Sequence, residues 1–345
     1  MIKKCWLMAV VLLCAVTAIG CAAEESVEEA GGEEVNNGED APLHIYTTLF
    51  VWEDFTKKIG GDEVQVQNIV PAGGDPHTFE PTAQTMIDIA EADAFIFNGG
   101  GMEGFAEQIN AAVQEEGVTS VEVTKGMELR QLNDDHAHSH GHNDHAHEHG
   151  EADPHVWLDP ILAMEAVDYI KEALIEMRPE KEDVFHENAK MLQRELQEVD
   201  ERFSDIAASS ESNQFVVSHA AYGYWEDRYG LEQIGITGLS PSDEPSQKEL
   251  QAIIDMIEEQ EVEYVMFERN ISSKVTEVVQ DESGTQALHL HNLESVSEEE
   301  REAGKDYLQI MEENIKNLQQ ALSYEGNHEN NHDHQYDEHE HDHHN

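Results

Sequence analysis

Thiols are nearly absent from this chain. Of its 345 residues only Cys5, Cys14 and Cys21 are cysteines, so the chain beyond residue 21 can form no internal disulfide and offer no thiolate to a metal. Basic residues are scarce as well. The 19 Lys and Arg stand against 74 Asp and Glu, a formal charge of −55. Nucleic acid and anionic lipid surfaces both need a positive field, so neither is expected as a partner, whereas cations are drawn in. Long apolar runs are missing too: the stretch Trp6–Ile19 is too short to span a bilayer comfortably. No His-Glu-x-x-His occurs in residues 43–323 and no nucleophile elbow is evident, which argues against a zinc hydrolase and against an enzyme generally.

What is abundant is histidine, with 21 residues, two-thirds of them in two low-complexity tracts. The first holds His136, His138, His140, His142, His145, His147 and His149. The second, in 324–345, interleaves seven more with acids. Histidine spaced by Asp, Gly and Ala builds no core, but it binds transition metals.

The N-terminus reads as a targeting segment. Lys3 and Lys4 precede the apolar run, and Ala18 and Gly20 lead into Cys21, so residues 1–20 are expected to be a signal with Cys21 as a lipidated N-terminus. Residues 21–42, rich in Glu, Gly and Asn, read as a disordered acidic tether.

From Leu43 short β runs alternate with helices: strands at Leu43–Phe50, Val64–Val70, Ala94–Asn98 and Thr119–Val123, then Phe215–Ser218, Ile234–Leu239, Tyr264–Glu268 and Ala287–Leu293, with a closing helix from Glu298 to Leu322. Such alternation predicts an α/β protein of two lobes, each a mostly parallel sheet flanked by helices. Phe185, Ala189, Leu192, Leu196, Val199, Phe203 and Ile206 recur at alternating four- and three-residue steps, which predicts one long helix with a continuous apolar seam. The expected organisation is therefore a first lobe at 43–180 with a His-rich loop at 132–152, a linker helix at 181–209, a second lobe at 210–323 and a tail at 324–345. A single stiff connecting helix implies small lobe movements.

Seven histidines lie in the body, and ligands in open α/β sheets sit at the carboxyl ends of strands. That filter selects His77, His155, His219 and Glu268, three imidazoles and a carboxylate of the kind Zn²⁺ accepts. The carboxylates Asp75, Glu80 and Asp159 are near enough in sequence to orient the imidazoles. His186 reads as a surface residue, and His289 and His291 as strand residues facing solvent or a helix. Glu268 is the weakest member, because a carboxylate at a strand end often caps the next helix.

Pro71-Ala-Gly-Gly-Asp-Pro-His-Thr-Phe-Glu-Pro81 and Asp153-Pro-His-Val-Trp-Leu-Asp-Pro160 resemble the signatures of the zinc-binding lipoprotein component of bacterial ABC importers, a metal-specific family of solute-binding proteins. Val216-Val-Ser-His-Ala-Ala-Tyr-Gly-Tyr224 and Phe267-Glu-Arg-Asn-Ile-Ser-Ser-Lys274 resemble its second-lobe segments. The similarity spans residues 43–322. It implies two α/β lobes joined by a rigid helix, with His77, His155 and His219 as ligands, Zn²⁺ as cargo and a membrane permease as partner; the seam helix, packed along its own body, goes with a monomer, and Cys21 with a lipid-anchored place on the outer face of the cell membrane. In manganese-binding relatives a glutamate stands at the position of His219, so the resemblance favours zinc, and a His-rich loop between the first-lobe ligands is typical of the zinc branch. A manganese importer component, a surface adhesin and a zinc buffer with structural zinc are the competing readings.

Overall fold

The computed structural model describes residues 41–131, 152–268 and 274–323. The expected signal segment, Cys21, nearly all of the acidic tether, the histidine tract at 136–149 and the tail lie outside the described residues.

Two four-stranded sheets organise the fold. In the first, β1 (Leu43–Thr47), β2 (Val64–Asn68), β3 (Ala94–Phe97) and β4 (Thr119–Glu122) lie in the order β2-β1-β3-β4, all parallel. The second repeats the pattern with β5 (Gln214–His219), β6 (Glu232–Thr237), β7 (Tyr264–Phe267) and β8 (Gln286–His289), in the order β6-β5-β7-β8. Inner strands of parallel sheets are covered on both faces and so are apolar throughout. β3, Ala-Phe-Ile-Phe, is buried at all four positions. In each sheet the chain steps from the first strand to one side and then to the other, which opens a crevice at the carboxyl ends.

Helices α1 (Phe50–Gly60), α2 (Ala83–Ala90) and α3 (Ala106–Glu116) belong to the first sheet, and α6 (Gly223–Tyr229), α7 (Gln247–Glu259) and α8 (Lys274–Ser283) to the second. Between them run α4 (Pro160–Met177) and α5 (Glu182–Ser209); α4 and α6 add to the expected alternation. Asp159 caps α4 by accepting from the amides of Ile161 and Leu162, with Pro160 pre-shaped at the first helical position. All seven seam residues of α5 are buried, against α4, α1 and the last helix α10 (Tyr307–Leu322). At 28 residues α5 is about 42 Å long. The closing helix expected over Glu298–Leu322 is two helices: α9 (Glu298–Glu302) stops at Gly304, whose φ of +66° suits glycine, and Asp306 opens α10 with a capping box.

One hydrophobic core runs through both sheets, from Leu43 to Leu322. Buried polar side chains stitch them as well. Trp157 Nε1 donates to Asn292 O at 2.7 Å, Trp225 Nε1 to Leu158 O at 2.7 Å, Tyr224 OH to Asp153 O at 2.7 Å and Tyr307 OH to Trp157 O at 2.6 Å. Among the described residues no helix is long and apolar enough to cross a membrane.

Candidate metal centre

Both Asp-Pro-His tripeptides build the same turn. The Oδ1 of Asp75 accepts from the His77 amide at 2.9 Å, and that of Asp153 from the His155 amide at 3.0 Å. An aspartate that bonds the amide two residues on, with proline holding φ between them, fixes where the histidine side chain leaves the backbone. The first turn sits in the loop after β2, the second beyond β4 at the mouth of α4. His219 is the last residue of β5. All three imidazoles therefore reach the crevice at the carboxyl ends of the strands.

They meet a fourth side chain there, Glu294. Its Oε1 lies 3.6 Å from His77 Nε2, 3.3 Å from His155 Nε2 and 3.5 Å from His219 Nε2. The four ligand atoms all fall within 4.8 Å of one another. A tetrahedral Zn²⁺ with bonds of about 2.0–2.1 Å sets its donor atoms about 3.4 Å apart, close to the observed spacing. None of these four atoms makes a well-formed hydrogen bond, although all are buried. Convergent orphan donors of this kind fit a cation. His155, His219 and Glu294 are fully enclosed, while His77 keeps 11% side-chain exposure, so the centre is reached from the His77 side.

Glu268, expected in the ligand set, is placed on the far side of His219, against its Nδ1. Asp153 plays the same part for His155, its Oδ1 lying 2.8 Å from Nδ1. Asp153 bonds Nδ1 of His155 and Glu268 lies against Nδ1 of His219, so each ring turns its Nε2 to the crevice. Of the expected orienting carboxylates, Asp75 bonds the His77 amide and, at 3.0 Å, the Thr78 hydroxyl; Glu80 is exposed; and Asp159 caps α4 and pairs with Arg228 Nε at 2.6 Å. The Asp153 loop is also buttressed by Asn98, whose Nδ2 donates to Pro154 O at 3.0 Å and whose amide is held by the buried Glu103. The tract histidines His136 to His149 and Cys21 lie outside the described residues.

Glu294 was not singled out from sequence. The signal was available, since it lies just past the expected strand Ala287–Leu293. The strand in fact ends at His289, and His291, expected on that strand, is buried in the following turn.

Burial and pairing set the charges. Burial pulls the His219 ring down, but the Glu268 charge and its hydrogen bond, with Glu294 beyond, more than reverse this and push it up to about 10. His155 is raised in the same way, by Asp153 and Glu294 against burial. Glu294 would be raised by burial, yet contact with three imidazoles holds it well below the usual carboxylate range. Burial raises Glu268, and His219 only partly offsets it. Before metal binds, the raised His155 and His219 rings thus face a Glu294 carboxylate that is held ionised.

The profile of the family described as zinc-uptake complex component A, periplasmic, matches residues 45–321. Zinc-binding lipoprotein AdcA of Streptococcus pneumoniae is 32% identical over 314 residues, which cover 91% of this chain and 60% of that protein. The chain thus spans about three-fifths of the length of that relative. The high-affinity zinc uptake system protein ZnuA of Bacillus subtilis is 33% identical over 280 residues, covering 81% of this chain and 88% of that one. The crystal structure of the Zn(II)-bound ZnuA-like domain of S. pneumoniae AdcA superposes with a TM-score of 0.69 at 31% identity, over 82% of this chain and 100% of that one.

Proposed function

The chain belongs to the zinc-uptake complex component A family, and from that membership we propose that it captures Zn²⁺ outside the cytoplasm and hands it to the membrane permease of an ABC importer. The family is one of metal-binding solute-binding proteins, not of enzymes. His77, His155, His219 and Glu294 are the ligands in this reading, and Asp153 and Glu268 the carboxylates that orient two of the rings. One observation carries it: a single carboxylate oxygen stands 3.3 to 3.6 Å from three imidazole Nε2 atoms, the edge length of a tetrahedral zinc site. Three nitrogen donors and one oxygen suit Zn²⁺ better than Mn²⁺, which prefers oxygen.

The ion enters past His77, displaces protons from the rings and is shut off from water by the enclosed His155 and His219. Residues 43–180 and 210–323 supply two ligands each, with the 181–209 helix as their strut. Cys21 carries a lipid anchor, and the tract histidines His136 to His149 collect metal weakly.

The test is Zn²⁺ content and Mn²⁺ competition on the full chain and on the His155→Ala/His219→Ala variant. The expected result is one Zn²⁺ per chain that survives excess Mn²⁺ in the parent and is lost in the variant. Retention of that ion by the variant would place tight binding in the histidine tracts and make the protein a zinc buffer.

A further inference from the structure

One buried imidazole near the centre points away from it. His291 is 4% exposed, three residues before Glu294. Its backbone is clasped by one side chain of α10: the His291 amide donates to Asn314 Oδ1 at 2.8 Å, and Asn314 Nδ2 donates to His291 O at 2.8 Å. Its ring Nδ1 accepts the Leu293 amide hydrogen at 2.8 Å. An accepting Nδ1 bears no proton, so the ring hydrogen of the neutral imidazole sits on Nε2. That atom faces Glu300 Oε2 at 3.4 Å. Glu300 is held in turn by the capping box of α9, where its Oε2 accepts from Ser297 N at 3.1 Å and from Ser297 Oγ at 2.8 Å.

The residue that His291 bonds is strained. Leu293 has φ of +62°, a left-handed conformation that a leucine adopts only when its surroundings impose it. The chain bends at Leu293, and Glu294 follows it with Oε1 beside the three imidazole Nε2 atoms. Its amide then donates to Asn292 Oδ1 at 3.2 Å, and its carbonyl accepts from Phe50 N at 2.8 Å.

We propose that His291 is a positioning residue for metal capture: by accepting the Leu293 amide hydrogen it holds the left-handed kink that aims Glu294 into the site, with Asn314 clasping its backbone and Glu300 facing its ring Nε2. The proposal rests on Glu294 being a ligand. A carboxylate fixed before the ion arrives loses little freedom on binding, so the bond shows up mainly as slow release. Freed from the kink, Glu294 would leave a three-histidine site with a position open to water.

The experiment is a double-mutant cycle on the full chain, with a chelator set to compete for the tightest ion and Co²⁺ absorption as the coordination readout. His291→Ala is expected to weaken Zn²⁺ about 10- to 100-fold, the range seen when a group behind a metal ligand is removed. It should also shift the Co²⁺ spectrum away from four protein ligands. His291→Asn, whose Oδ1 takes the place of Nδ1, should recover most of both. In a Glu294→Gln background His291→Ala should change affinity no further, because its only route to the ion is gone. Weakening that persists at full size in that background would mark His291 as merely structural and overturn the proposal, as would an unchanged His291→Ala when Glu294→Gln is weak. If Glu294→Gln itself binds and absorbs like the parent, the ligand reading fails and takes this proposal with it.

Discussion

His219 is held from two sides, with Glu268 on Nδ1 and Glu294 Oε1 3.5 Å from Nε2. Replacing Glu268 by Gln keeps an oxygen for the Nδ1 proton but removes the charge that makes the ring a better donor. Zinc affinity at pH 8 should fall about 10- to 100-fold, read by chelator competition. The pH profile separates charge from mere orientation. With its pKa near 10 in the metal-free protein, His219 enters binding protonated at pH 7 to 9 and must lose that proton. Affinity therefore rises with pH, with a contribution of about one log unit per pH unit from this ring. Without the Glu268 charge the ring returns toward about 6.5 and the profile should flatten across pH 7 to 9. A variant profile as steep as the parent's would mean that Glu268 does not set the proton. Asp75 and Asp153 show where sequence runs out at this scale. Both bond the amide of their histidine, but only Asp153 also meets its ring, because that depends on a side-chain rotation that no spacing encodes.

At the scale of elements, α5 is the member that serves both sheets, since its seam packs on α1 and α4 as well as on α10. Leu196→Ala, at a fully buried seam position, should cost about 2–5 kcal/mol. Because one core runs through both sheets, calorimetry should show a single transition moving down, with calorimetric and van't Hoff enthalpies still equal. Two resolved transitions would show that each sheet unfolds by itself. The seam was legible because helix period imposes its spacing on any buried face, and the parallel strands because each is a short apolar run between turns. The paired turns of His77 and His155 were legible for a chemical reason, Pro and Asp leaving the backbone few alternatives. The fourth ligand was not. Glu268 and Glu294 follow adjacent strands β7 and β8, so both approach His219, one at Nδ1 and the other at Nε2. Which one takes the ion depends on β8 stopping at His289 and on a kink at Leu293, and the apolar alternation through Leu293 masks both.

At the scale of the molecule, a formal charge of −55 acts on folding and on capture with opposite sign. Like charges repel in the compact state, and salt screens them beyond a Debye length of about 10 Å at 0.1 M. Raising potassium nitrate from 20 to 500 mM should therefore raise the denaturation midpoint of the zinc-free chain. The same negative field draws Zn²⁺ toward the surface, so its association rate, followed by stopped flow, should fall over that range. The dissociation rate should change little, because release breaks bonds inside an enclosed quartet that mobile ions do not reach. Affinity then weakens with salt through association alone while stability climbs. If salt instead sped dissociation and left association untouched, the field would play no part in capture, and the excess of 74 acidic over 19 basic residues would bear on solubility only.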